Sequence, residues 1–348
     1  MMIDRRRLLT SALTLGAMHA FPGLSYADAR PLVFATFTGS WEEAHKAVLV
    51  PAFRKASGDA PVVLDPMLSV DQIAKVNAAK SNPPIDVMLH DPGPALVAIG
   101  QDLVEPFPVE NSAYYKDLIP EAQDPNGPAP FFQVVGLTYN PDTVKTPPTS
   151  WADLWNPDYK GRVGITNLNS TLGTGWLVEV ARMHGGSEAN VDAGFKALEA
   201  LKPNLAAVAA NPGALATLYQ QGQIDISPGN FNAIQILKAR GVPVEFVAPK
   251  EGAIAFKTTI HIVKNSPNKE LAFKLIEAAL SPEVQTTLTE PPYLIVPTNA
   301  KVAMTGEIAK VLAKDTDELK KKFVFQDWKT INQQRASWIE KFNRDIKI

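Results

Sequence analysis

The sequence predicts a two-lobed α/β fold, with mixed sheets flanked by helices and a ligand cleft between the lobes. Three observations carry this expectation. Short apolar runs alternate with amphipathic helical stretches along most of the chain, the pattern of a largely parallel sheet. The alternation comes as two series, and two longer apolar stretches, 131–139 and 252–263, stand where the chain would cross between them. At 348 residues the chain also exceeds what one domain usually holds.

Composition narrows the function. Hydrophobic content of 45% and charged content of 20% are those of an ordinary globular protein. The net charge of −2, without long runs of one sign, argues against a nucleic-acid partner, which needs a basic face. With no cysteine, thiol catalysis, disulfides and cysteine metal sites are excluded.

The first 29 residues read as an export signal: Arg5-Arg6-Arg7 as basic head, an apolar run from Leu8 to Phe21, and Ala27-Asp28-Ala29 as a small-x-small cleavage site. Asp4-Arg5-Arg6-Arg7-Leu8-Leu9 has the form of a twin-arginine signal, with a general secretory signal as the alternative. Either route predicts a periplasmic protein.

Taken in order, Pro31 to Phe37 is a buried strand, and Thr38-Gly39-Ser40-Trp41 turns into a helix that Gly58 ends. A strand at 61–65, an amphipathic helix at 69–80 and a strand at 85–90 follow, with Asp91-Pro-Gly-Pro94 opening the next helix. Residues 101–130, rich in proline and acids, form a surface loop, and 131–139 is the first crossing strand. The second series has strands at 161–166, 205–209, 223–227 and 243–247, and helices at 174–183, 191–201, 214–221 and 233–239. Residues 252–263 return the chain, and helices at 269–279, 281–289, 304–312 and 327–346 close it, the last two packing across the outside. The expected division is lobe 1 at 30–138 plus 256–301 and lobe 2 at 139–255 plus 302–348.

Signatures of chemistry are missing. The five histidines include no His-x-x-x-His pair for zinc, and no nucleophile elbow or lysine-bearing phosphate loop occurs. His45 lies on a helix read as partly exposed. Binding is therefore favoured over catalysis, with no cofactor and no metal expected.

With the segments placed, the chain resembles a periplasmic solute-binding protein of an ABC transporter, in the branch of the spermidine/putrescine-, iron- and thiamine-type receptors. The resemblance rests on Phe37-Thr-Gly-Ser-Trp-Glu-Glu-Ala44, Pro51-Ala-Phe-Arg-Lys-Ala-Ser-Gly58, Asp86-Val-Met-Leu-His-Asp-Pro-Gly-Pro94 and Val135-Gly-Leu-Thr-Tyr-Asn-Pro141. It continues through Ser150-Trp-Ala-Asp-Leu-Trp155 and Asn268-Lys-Glu-Leu-Ala-Phe-Lys274 to Leu280-Ser-Pro-Glu-Val-Gln285. It implies the type II periplasmic-binding-protein fold, hinge closure on a small-molecule solute, a monomer, and docking on an inner-membrane permease.

In an α/β sheet, ligands sit at the carboxyl ends of strands. The turns there supply the candidate ligand residues: Thr38, Gly39, Ser40, Trp41, Asp91, Asn167, Ser170, Thr171, Asn230, Phe231, Asn232 and Tyr293, with Asn169 beside them. They are neutral hydrogen-bonders and aromatics with one acid. Helix N-termini favour an anion, Asp91 favours an amine, and an aromatic face such as Phe231 can stack. The expected solute is zwitterionic or carboxylate-bearing. A polyamine is the alternative, although 227–232 lacks the carboxylate that polyamine receptors of this branch use; a secreted enzyme on the same fold is a second alternative.

Overall fold

In the computed structural model, residues 30–346 are described, so the expected signal peptide lies outside the described residues. The strands are β1 (Leu32–Thr36), β2 (Val62–Pro66), β3 (Val87–His90), β4 (Phe131–Tyr139), β5 (Val163–Thr166), β6 (Leu205–Ala209), β7 (Ile226–Asn230), β8 (Glu245–Val247), β9 (Ala253–Ile262), β10 (Val296–Pro297) and β11 (Phe323–Val324). They run in the order β2-β1-β3-β9-β4-β7-β5-β6, with β8 and β10 pairing with β4 and β11 with β9.

The order explains the two-lobed, mixed α/β architecture. At one end β2, β1 and β3 are parallel; at the other, β7, β5 and β6 are parallel. Between them β9 and β4 run antiparallel, paired from Phe131↔Thr258 to Val135↔Ile254. Each then diverges: β9 continues along β3, and β4 along β7. Two long strands thus hold both lobes, and the parallel ends aim their carboxyl termini toward the space beside the crossing. The crossing strands are buried almost throughout, and apolar residues make up most of each.

Local chemistry sets the helix boundaries. The helix after β1 begins at Ser40, passes through a π turn at His45–Leu49 and ends at Gly58, whose φ of 71° is the left-handed cap that glycine adopts most readily. Proline stands in the first turn of Pro92–Gly100 and Pro212–Gln220, where its missing N–H costs nothing.

Four placements differ from the sequence reading. β7 runs to Asn230 and the next helix starts at Phe231, so Pro228-Gly229-Asn230 are strand rather than turn. Pro228 lies opposite Leu137, and a Cβ on Gly229 would come within 2.7 Å of Thr138 Cγ2, so the close approach of β4 requires glycine. His45 is fully buried, its Nδ1 2.6 Å from Thr36 Oγ1, and burial lowers its pKa to about 3. Residues 101–130 are not an open loop: three short 3-10 turns bury Phe107, Tyr115, Leu118, Ile119 and Ala122. The C-terminal segment does more than cover the outside. Ile308, Leu312 and Leu319 belong to the core cluster that contains β1 and the helix Lys269–Leu280, whereas Trp328, Ile331, Trp338 and Phe342 belong to the cluster around β5 and the helix Thr171–Met183.

Candidate functional site

Five strand ends converge on one cavity. After β1 come Phe37 to Trp41; after β3, Asp91; after β5, Ser170; after β6, Pro212 and Gly213; at the end of β7, Asn230. Gln133 of β4 and Phe256 of β9 complete the floor, and Glu43, Leu237 and Arg240 also line the space, whose volume is about 180 Å³.

The mouth is closed by contacts between the lobes. Thr38 Oγ1 donates to Asn211 Oδ1 at 3.4 Å, and Asn232 Nδ2 donates to Ser40 Oγ at 3.1 Å. Arg240 pairs with Glu43. A Cβ on Gly39 would stand 3.3 Å from Gly213 Cα, so the two backbones nearly touch. Gly39 has φ 73° and ψ −126°, a conformation that a side chain would strain.

The floor is polar and mostly satisfied. Gln133 Nε2 donates to Asp91 Oδ1 at 2.6 Å and to Thr258 Oγ1 at 3.0 Å, while Asn230 Nδ2 donates to Gln133 Oε1 at 3.1 Å. Thr171 also hydrogen-bonds Asp91. Behind it Arg335, buried on the C-terminal helix Arg335–Asp345, donates to Thr174 Oγ1 and to the carbonyls of Leu168 and Asn169. Burial pushes the Asp91 carboxyl up to about 6, opposed by the Thr171 hydrogen bond, the Arg335 charge and the Gln133 hydrogen bond. Burial brings Arg335 down to about 10, with Asp91 pulling the other way, so both are charged at neutral pH.

Two buried polar atoms on lining residues have no partner among the described residues: the donor Nε1 of Trp41 and the acceptor Oδ1 of Asn230. A buried group of this kind costs about 1–3 kcal/mol when it stays unpaired.

Of the residues expected from the sequence, Thr38, Gly39, Ser40, Trp41, Asp91, Ser170 and Asn230 line this cavity. Asn167 and Asn169 line a second depression that shares Thr38 with it. Thr171 is buried behind Asp91, and Asn232 serves the clasp to Ser40. Phe231 does not stack over the cavity; its ring packs edge-on against Phe246, centroids 5.2 Å apart. The shift of β7 accounts for this, because it turns Phe231 from a turn residue into the first, core-facing residue of a helix. Tyr293 is half-buried against the hydrophobic core, outside the cavity lining.

Sequence reasoning missed Gln133, Phe256 and Arg335, and it left Pro212 and Gly213 out of the candidate ligand residues although 211–213 is a helix-opening turn of the same kind as 38–41. Gln133 carried a signal, being polar inside the apolar run Phe131 to Leu137. Arg335 carried none, since a basic residue on a C-terminal amphipathic helix reads as solvent-facing. Among the described residues no group of three His, Cys, Asp or Glu side chains is placed to hold a metal ion.

A cavity between two lobes, built from strand ends, is what a solute-binding protein needs. The family model of bacterial extracellular solute-binding proteins matches residues 49–321. The chain belongs to that family.

Among curated relatives of this solute-binding chain, the spermidine/putrescine-binding periplasmic protein of Escherichia coli K12 is 30% identical over 179 residues. That match covers 50% of this chain and 51% of the relative. A periplasmic protein of Salmonella typhimurium LT2 named for 2-aminoethylphosphonate binding is 27% identical over 227 residues, 64% of each chain. The matched stretch thus spans about half to two thirds of these curated relatives. The crystal structure of an ABC transporter protein from Clostridium perfringens superposes with a TM-score of 0.69 at 26% identity, over 91% of this chain and 100% of that one. The family is extracellular, and among the described residues no helix is long and apolar enough to cross a membrane.

Proposed function

We propose that this solute-binding protein is the capture component of an ABC importer, and that its solute is a small zwitterion with an ammonium at one end and a carboxylate or phosphonate at the other. The observation that carries the reading is the opposed chemistry of one cavity. Asp91 and the free Oδ1 of Asn230 accept hydrogen bonds from an ammonium. The free Nε1 of Trp41, the Ser40 hydroxyl and the helix starts at Ser40 and Pro212 suit an anionic group.

Size agrees with this. A cavity of about 180 Å³ is close to the roughly 150 Å³ that takes a benzene-sized ligand, enough for a compact solute of the size of 2-aminoethylphosphonate. A linear polyamine fits less well. It needs acceptors at both ends, and Glu43, the other carboxylate in the lining, is paired with Arg240. The name of the Salmonella relative points to the same class of ligand, and the ABC transporter likeness supports delivery to a permease in the inner membrane.

Calorimetric titration of the protein with 2-aminoethylphosphonate, β-alanine, putrescine and spermidine tests the reading. Micromolar or tighter binding of an amino acid or aminophosphonate is expected, and recovery of the solute unchanged separates capture from catalysis. Tight binding confined to the polyamines would sink the zwitterion.

A further inference from the structure

Asn230 is 5% exposed and Gln133 is 7% exposed, so each side-chain amide is fixed by its few partners. The geometry orients them in sequence. Asp91 is ionised at neutral pH and can only accept, so Gln133 must turn its NH2 toward Asp91 Oδ1, 2.6 Å away. Thr258 Oγ1, at 3.0 Å, takes another proton of the same group. The Gln133 oxygen is then left facing Asn230, whose NH2 donates to it at 3.1 Å. Asn230 thereby keeps its oxygen free, in a residue that lines the cavity.

We propose that Gln133 is a polarity relay: it carries the orientation imposed by the Asp91 carboxylate across to Asn230, and so sets the carbonyl oxygen of Asn230, rather than its NH2, as the cavity's second acceptor. Gln133 is thus a positioning residue for the ammonium end of the site. It stands on β4, which pairs with β9 on one side and β7 on the other, so it joins an acid of the first lobe to an amide of the second. If the Asn230 amide were reversed, an NH2 would meet the solute's ammonium, donor against donor. The relay deepens the zwitterion reading and rests on it for the choice of probe.

Two measurements test it. Neutron diffraction from deuterated crystals of the protein without solute is expected to place the Asn230 deuterons toward Gln133; deuterons on the cavity side overturn the relay. Gln133→Met keeps the length of the side chain and removes both polar atoms. In calorimetry it is expected to weaken 2-aminoethylphosphonate by about tenfold or more beyond its effect on ethylphosphonate, which lacks the amine; this is the scale of one hydrogen bond to a charged group. Equal losses for both probes would show a merely structural role and overturn the relay. Gln133→Glu, checked for folding by its Tm, still accepts from the Asn230 NH2 and is expected to keep the preference for the amine-bearing probe; loss of that preference in Gln133→Glu, or its full retention in Gln133→Met, overturns the relay. Failure of the unsubstituted protein to bind either probe overturns the zwitterion reading instead, and the deuteron positions alone then decide the relay.

Discussion

The mouth and the floor of the cavity both join the two lobes, but by different means. At the mouth, Thr38–Asn211 and Glu43–Arg240 are contacts between side chains partly open to water, and Ser40–Asn232 joins a half-buried hydroxyl to a buried amide. At the floor, Asp91, Gln133, Thr258 and Asn230 form one connected network along the crossing strands. Exposed contacts exchange readily with water and hold little net energy. A buried network is costly to leave incomplete. The mouth therefore suits a joint that opens and closes, and the floor suits the discrimination between solutes.

The sharpest way to break this comparison is at the floor. Asp91→Ala removes the carboxylate and leaves the charge of Arg335 without its counter-charge. Binding of an ammonium-bearing solute should fall by about a hundredfold or more, the scale of losing one partner from a buried charged site. The same residue gives a pH test. Its carboxyl is raised to about 6, so it is ionised above that value and becomes protonated as pH falls through it. Affinity for the ammonium-bearing solute should be flat near pH 8 and decline below about 6, and this decline should vanish in the variant. An unchanged pH profile in Asp91→Ala would remove Asp91 from the ammonium end.

A middle-sized effect is expected where the jaws meet through backbone. Gly39→Ala puts a methyl group at a positive φ and 3.3 Å from Gly213 Cα. A non-glycine residue in such a conformation costs about 1–3 kcal/mol, and the added contact opposes closure directly. Affinity for every solute, amine-bearing or not, should fall by about tenfold, and small-angle scattering should show a smaller contraction on adding solute. Gly213→Ala, whose Cβ would meet Thr38 Oγ1 at 3.3 Å, crowds the same seam from the other side. Full contraction and unchanged affinity in both would show that closure does not depend on this approach.

The same contrast explains what the sequence disclosed. Strand-to-helix turns are local, so the 38–41 and 91–94 turns were legible from an apolar run followed by glycine, serine or proline. The full extent of β4 was legible too, because a strand buried on both faces is mostly apolar, here broken at Gln133 and Thr138. The floor network was not. Linking Gln133 to Asn230 requires the antiparallel register Val135↔Asn230, and Pro228-Gly229 looked like a turn rather than a strand that lets β4 approach closely. Placing Arg335 near Asp91 requires the C-terminal helix to return to the cleft, where Asn332 Nδ2 donates to the Gly93 carbonyl at 2.8 Å. Such contacts depend on tertiary packing, which leaves no periodicity in the chain.

The smallest effect is predicted for the charged pair at the mouth. Arg240 and Glu43 bridge the lobes, yet their side chains are 48% and 42% exposed. Exposed ion pairs contribute about 0–1 kcal/mol, so Arg240→Gln should weaken solute binding by less than about fivefold. The contribution should also fade between low and physiological salt, because water and ions screen it. Its influence belongs to the opening rate: stopped-flow fluorescence of Trp41 should show faster solute release in Arg240→Gln at low salt and no difference at high salt. A loss approaching that of Asp91→Ala would mean that the mouth, not the floor, holds the solute, and would reverse the division of labour drawn between them.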